Sequence, residues 1–375
     1  MTSEFTYPSL RCIWEYMESN RRIHITSRSP QLRSVDKSIP FHINCLQLDD
    51  NAIKINDIEY KAHWGSEIVN PGDFNYGERP QEKQLTPGDI QADGELSWYR
   101  DVAQLSIKRN EPSFWRQFPN AQPYAVAKRL ANLFFEGRCK IVTKTLQTRE
   151  REKILRLPVG FKVHTNVIRS LYSDFPYILP IVELGSELTV LETYVSKEET
   201  LDHPQLRNAK RLVFDGTKVS LFMDKVVTLT NKYVIIADAT LSENDIIRLV
   251  RYWIDNEKPI GTFWEIAWEE GKYGSLQTKL KEEFGGNLVQ FEDSVDKCIL
   301  PDGHLAIPID SESNLVIGGL IREMPTFEIS LIRIQSMPIH LMPIKPNKVI
   351  QINSCIVSIM NYVRKVLEIW NWVKI

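Results

Sequence analysis

Histidine and cysteine are the side chains best suited to metal, redox or nucleophilic chemistry, and this 375-residue chain scatters both. His24, His42, His63, His164, His203, His304 and His340 never place two imidazoles on one helix face at a ligand spacing. Cys12, Cys45, Cys139, Cys298 and Cys355 are odd in number, and no two of them fall at a zinc or redox interval. Reduced, mostly buried thiols of an intracellular protein account for them. The chain also lacks a glycine-rich phosphate loop, a nucleophile elbow and a His-Glu-x-x-His pair. No catalytic residue, metal ligand or cofactor is therefore expected.

Single residues weigh the same way. His203, in Leu-Asp-His-Pro, reads as a turn residue bonded to backbone rather than a working imidazole. Cys12 sits near a helix start, where a thiolate is favoured. It precedes Ile13 and Trp14, however, and reads as a buried structural thiol. Glu265, Glu269 and Glu270 form an acidic cluster that suits a solvated face. Gly285-Gly286 calls for a left-handed backbone rather than a ligand.

A net charge of −2 removes any long-range pull toward phosphate backbones or anionic lipid, so neither nucleic acid nor membrane is an expected partner. Arg149 to Arg156, the densest basic run, interleaves Glu150 and Glu152 as a mixed-charge solvated face would. The N-terminus lacks the basic start and apolar run of a signal peptide. The apolar tail 349–363 is interrupted by Gln351, Asn353 and Asn361, which suits a docked C-terminal helix better than a membrane span. An intracellular location, cytoplasmic or nuclear, follows.

The elements that would position a site fall into an α+β arrangement. Pro8 opens a short helix in which Leu10, Ile13, Trp14 and Met17 recur at helical spacing and Asn20 marks the end. Pro30 starts a second, with Leu32 and Val35 inward and Arg33 and Lys37 outward. From Ile43 the period changes to two, and Ile53, Ile55 and Ile58 continue as strand. Residues 1–64 thus form a helical module with β-strands. Residues 65–123 hold six of the twenty prolines and five of the seventeen glycines, and read as a linker. Within it Trp98, Tyr99, Phe114, Trp115 and Phe118 could pin the segment to its own chain.

The last region, 124–375, opens on a helix with Val126, Leu130, Leu133 and Phe134 inward, stopped at Gly137. A strand over 139–146 and a strand pair joined through Pro158-Val159-Gly160 follow. Short apolar strands then recur from Leu188, Lys210, Tyr233 and Thr262, about 22 to 30 residues apart, as in leucine-rich solenoids, though the consensus itself is absent. Ser242 and Asp245 form a capping box for the helix that buries Ile246, Ile247, Val250, Trp253 and Ile254. Two strands around 310–313 make a hairpin, and another runs through Phe327 to Met337. The final helix places Ile356, Ile359, Met360, Val363 and Leu367 inward.

The strings Tyr7-Pro8-Ser9-Leu10-Arg11-Cys12, Glu15-Tyr16 and Asn20-Arg21-Arg22, followed by Ser27-Arg28-Ser29-Pro30-Gln31-Leu32 and Lys37-Ser38-Ile39-Pro40, carry a resemblance. In that order they resemble the opening of a nematode family of uncharacterised proteins grouped with F-box C and F-box-associated proteins. Leu85 to Ile90, Leu157 to Lys162, Asp202-His203-Pro204 and Trp253 to Thr262 look like its later landmarks. The resemblance implies an F-box-type substrate receptor of a ubiquitin ligase. Its N-terminal helix would offer Pro8, Leu10, Ile13, Tyr16 and Met17 to a Skp1-like adaptor, and residues 124–375 would form an F-box-associated-like α+β domain that captures a target protein. Ile13 follows Pro8 more closely than in a full F-box.

Three functions are therefore on the table. The first is a non-enzymatic protein-interaction module, in its specific form a ubiquitin-ligase receptor. The second is an interaction or structural protein with no ubiquitin connection. The third is an enzyme whose residues converge without a linear motif.

Overall fold

Glu18 separates the first two helices of the computed structural model, which describes residues 7–64, 85–91, 103–109, 114–118, 121–148, 154–170, 175–183, 187–214, 219–237, 241–269, 272–289, 304–323 and 328–339. Helix α1 spans Tyr7–Tyr16, α2 Ser19–Arg28 and α3 Pro30–Lys37. The Glu18 carboxylate accepts the Arg21 amide at 3.0 Å and caps α2. Asn20 is therefore not a helix end. It lies in the first turn of α2, buried, and donates to the Ile55 carbonyl at 2.9 Å. In α3 the buried residue is Asp36, while Leu32, Val35, Arg33 and Lys37 are all half-buried, so the inward face is not the aliphatic one expected.

The chain divides into two compact units, Met1–Asp215 and Gly216–Ile375. Composition suggested a division into 1–64, 65–123 and 124–375. In the first unit β1 (Phe41–Leu48), β2 (Ala52–Ile55) and β3 (Ile58–Trp64) pair antiparallel in succession. Asn56, at a φ of 56°, turns the chain between β2 and β3, so the single strand expected through Ile58 is a hairpin. A short β4 (Ile90–Gln91) follows. Strands β5 (Ala103–Lys108) and β6 (Phe114–Phe118) extend the sheet from β3. Both strands fall inside the stretch read as a linker, where Ala103 and Leu105 bury with Ala62, Val126 and Ala127. Phe118 packs against that cluster, whereas Phe114 is exposed. Trp98 and Tyr99 lie outside the described residues.

Helix α4 (Pro123–Phe135) stops before Gly137, whose φ is 69°. Strand β7 (Ile141–Thr148) then lies parallel to β1, Phe41 opposite Ile141 through Leu48 opposite Thr148. β8 (Ile154–Leu155) pairs with β4, not with the strand after Gly160 as expected. The small β9 (Val163–His164) pairs parallel with β7, and β11 (Val182–Glu183) pairs parallel with β9. β10 (Val167–Ser170), β12 (Val190–Thr193) and, after α5 (Pro204–Arg207), β13 (Arg211–Phe214) continue a parallel ladder from β7. Leu46, Leu146, Ile168, Leu191 and Leu212 stand in register across it, all buried. An aliphatic side chain at the same pleat of each strand gives the ladder a continuous core face.

In the second unit, α6 (Met223–Val226) precedes β14 (Tyr233–Ile236) and α7 (Glu243–Asp255). The Ser242–Asp245 capping box forms as the sequence predicts. β15 (Phe263–Trp268) pairs parallel with β14. After α8 (Tyr273–Phe284), β16 (Asn287–Val289), β17 (His304–Pro308), β18 (Ser313–Glu323) and β19 (Glu328–Pro338) pair antiparallel, and β19 closes onto β15. The β17–β18 hairpin is the expected one. A Cβ at Gly318 would overlap the His304 ring, so glycine is what admits that buried imidazole. The fold is α+β throughout, with a mixed sheet. The expected C-terminal helix lies outside the described residues.

One buried cluster ties the helical module to the sheet. Arg22 donates through Nε to Asp36 Oδ1 at 2.6 Å and through its Nη atoms to the Asp36, Ile39 and Pro40 carbonyls at 3.1, 3.3 and 2.8 Å. Arg138 donates to Asp36 Oδ2 at 2.7 Å and to the Phe134 carbonyl. Both guanidinium groups lie over the Phe41 ring, at 5.2 and 3.8 Å from its centroid. Asp36→Ala leaves two buried cations uncompensated, and urea denaturation is expected to show a loss of about 3–5 kcal/mol. A change under about 1 kcal/mol would remove the cluster from its structural role.

Candidate interaction surface on the first helix

Among the described side chains of helix α1, Trp14 is the buried one. Trp14 is 2% exposed, and its carbonyl accepts the Met17 amide at 3.3 Å, turning the chain toward α2. Trp14 was grouped by spacing with Ile13 and Met17 on one apolar face, and the structure separates them. Ile13 is 43% exposed and Tyr16 is 88% exposed, three residues apart on the same side of the helix. Cys12, one turn before Tyr16, is exposed as well, so it is not the buried thiol that its apolar neighbours suggested. Met17 is half-buried just past the helix end. Pro8 and Leu10 belong to α1, and their side chains lie outside those described. Arg11 and Glu15 are exposed beside the pair. The outward face therefore offers an aliphatic and an aromatic group between charges of opposite sign.

Other thiols depart from expectation too: Cys139 is exposed and Cys45 half-buried. Two charged runs also move inward. Arg156 is buried and donates to Asp89 at 2.7 Å, so the end of the basic run is not a solvated face. Lys128 reaches the other Asp89 oxygen at 2.7 Å. Burial raises the Asp89 carboxyl, but hydrogen bonds from Lys128, Thr86 and Arg156 outweigh it and hold the pKa below the usual value. Glu265 is likewise buried, accepting from Arg333 at 3.0 Å across β15 and β19.

His203 and Lys258, two groups capable of acid–base chemistry, both make contacts within the chain. His203 caps α5: its Nδ1 accepts the Gln205 amide at 3.4 Å and its ring meets Phe175 edge-on at 5.1 Å. Burial lowers its pKa from 6.5. Lys258 follows α7, and its ammonium lies 5.4 and 5.6 Å from the Trp253 and Trp264 rings while donating to the Leu229 carbonyl. Burial pushes its pKa down to about 8. Among the described residues no group of three or more His, Cys, Asp or Glu side chains is placed to hold a metal ion. None of their helices is long and apolar enough to cross a membrane.

Sequence reasoning missed the Asp36 cluster and the tryptophan-lined lysine, because no short-range pattern marks either. Tyr16 following Cys12 by one helical turn was the available sign of an outward face.

Residues 122–270 match the family described as a domain of unknown function (DUF3557). That stretch runs from α4 to just past β15. No curated protein and no solved structure matches the chain.

Two pH effects follow. A charged His203 cannot accept the Gln205 amide, and its folded pKa lies below the unfolded value of 6.5. Stability relative to His203→Asn is expected to be full above pH 6.5 and to fall as the pH drops below it, read by urea denaturation across that range. For Lys258 the folded pKa of about 8 lies below the ordinary 10.5. The unfolded chain binds the extra proton between those values, so stability relative to Lys258→Met is expected to rise from pH 8 to 10.5. A flat difference in either series would show that the group is not desolvated as described.

Proposed function

We propose that the chain is a non-enzymatic protein-interaction module that works inside the cell, in the cytoplasm or nucleus, as a substrate receptor of an F-box-type ubiquitin ligase. The observation that carries this reading is the outward pairing of Ile13 and Tyr16 on a helix pinned by a different residue, Trp14. A helix whose anchor and exposed apolar groups are separate can lend its outer face to a groove without loosening its own packing. Leu10, Pro8 and Met17 are the neighbouring positions that a Skp1-like adaptor would cover. The target protein would be held by residues 124–375.

A second reading is an interaction or structural protein with no ubiquitin connection. It draws support from the Asp36 cluster, which builds α2 and α3 into the first unit through Arg138. A helical module so joined to a sheet is less like a detachable adaptor-binding segment.

Co-purification from nematode cells, scored for a Skp1-like protein and a cullin, separates the two. The receptor reading expects Tyr16→Arg combined with Ile13→Glu to cut adaptor recovery at least about tenfold, equivalent to about 1.4 kcal/mol. Folding stability should change by no more than about 0.5 kcal/mol, as for other surface substitutions. Trp14→Ala should instead cost about 3–5 kcal/mol of stability. Adaptor recovery that survives the double substitution, or that is absent from the unsubstituted chain, overturns the receptor reading.

A further inference from the structure

Residues 7–40 hold six Lys or Arg against three Asp or Glu, a net charge of +3 in a chain whose total is −2. Part of that charge is used inside the chain. Arg22 is buried on Asp36, and Arg33 reaches the Thr26 carbonyl at 3.5 Å. Arg21 and Arg28 differ. Both are exposed, and neither side chain makes a hydrogen bond or ion pair among the described residues. With the exposed His24 between them, they occupy the first, fourth and eighth places of one run along α2. Those places span an arc of about 60° and about 10 Å of the helix axis.

The elements packed on α2, which are α3 and β1, do not answer this charge. Helix α3 has one carboxylate, Asp36, and it is buried between Arg22 and Arg138. Strand β1 has none, and its exposed residues are His42 and Asn44. Glu18 is engaged as the α2 cap, accepting from the Arg21 amide, Asn20 and Asn56. Glu15, the remaining carboxylate of residues 7–40, is exposed on α1 and pairs with neither arginine. Nor does the Arg21 charge serve its own helix, since it stands in the first turn, where the macrodipole disfavours a cation. Arg22 stands there too, but Asp36 and three carbonyls compensate it. Among the described residues nothing does the same for Arg21.

We propose that this face of α2 docks an acidic segment of a partner protein, with two carboxylates about 10 Å apart meeting Arg21 and Arg28. That spacing is about seven positions on a helix or about three in an extended chain. A guanidinium meets a carboxylate through two parallel N–H donors, so each arginine favours that planar acid. A face this short suits a pair of carboxylates better than nucleic acid, whose affinity is built from many phosphate contacts. The proposal rests on the chain being a protein-interaction module, but its residues are not those of the α1 face.

The test is selection of random displayed peptides about ten residues long on the full chain, then fluorescence polarisation with the enriched sequence. The expected consensus carries Asp or Glu at one of those two spacings, and binding weakens as salt rises. Arg21→Gln combined with Arg28→Gln should weaken that peptide at least about tenfold. Arg21→Gln alone should weaken it while the thermal unfolding midpoint stays the same or rises, because the first turn of α2 loses a cation. Lost binding is then not lost folding. Ile13→Glu combined with Tyr16→Arg should leave peptide affinity unchanged, so failure of the adaptor reading is seen separately. No enrichment, a consensus without paired acids, or affinity indifferent to the double glutamine substitution overturns the proposal. So does a lower midpoint in Arg21→Gln, or a single-stranded DNA oligonucleotide that binds more tightly than the peptide at the same salt.

Discussion

The first unit depends on how two helix ends are neutralised in one place. The last turns of α3 and α4 both present carbonyl groups with no helical partner, and each terminus carries the partial negative charge of its helix. Arg22 takes the carbonyls at and just past the end of α3, and Arg138 takes that of Phe134 in α4. Two guanidinium groups this close would repel, and Asp36 between them removes the conflict by accepting from both. The charges then balance: two cations against one carboxylate and two helix ends worth about half a charge each. Phe41, the first residue of β1, supplies the ring on which both cations rest. The cluster therefore fixes where the sheet begins relative to α3 and α4.

From that start the ladder needs little more than repetition. β1 and β7 follow α3 and α4 respectively, and they align residue for residue from Phe41 and Ile141. Once those two strands are set, each further parallel strand needs an aliphatic residue at the position of Leu46, and Leu146, Ile168, Leu191 and Leu212 provide it. A parallel sheet with one face closed this way leaves the other face to be shaped by loops and by what the strand residues are.

Elements that depend on neighbours in sequence were legible, and those that depend on distant partners were not. The Ser242–Asp245 box, the Gly137 stop and the β17–β18 hairpin each involve residues a few positions apart, and all three form. Asp36 and Arg138 lie 102 residues apart, and Glu265 and Arg333 lie 68 apart. Charged residues in a polar run look solvated until the partner is known, which is why Arg156 and Glu265 were placed on the surface. The proline- and glycine-rich stretch is read from composition in the same way. Its composition reports turns, whereas β5 and β6 lie between those turns and gain their stability from Ala62 and Val126 elsewhere in the chain. Of the five helix positions suggested as a docking face, Ile13 and Tyr16 are outward, and only the burial of Trp14 shows which side that is.

The contrast between Trp14 and Tyr16 also decides how α1 can be used. In a helix that folds only on its partner, the residues that anchor it and the residues that bind are the same, and binding must offset the cost of ordering the segment. Here the anchor is internal. Trp14 is closed off within the first unit, and Glu18, which caps the next helix, also accepts from Asn56 at the β2–β3 turn at 3.0 Å. The helix is thus fixed by contacts within the chain, with Ile13 and Tyr16 outward. A preordered apolar face gives up little conformational freedom on docking, so even a small one can contribute to affinity.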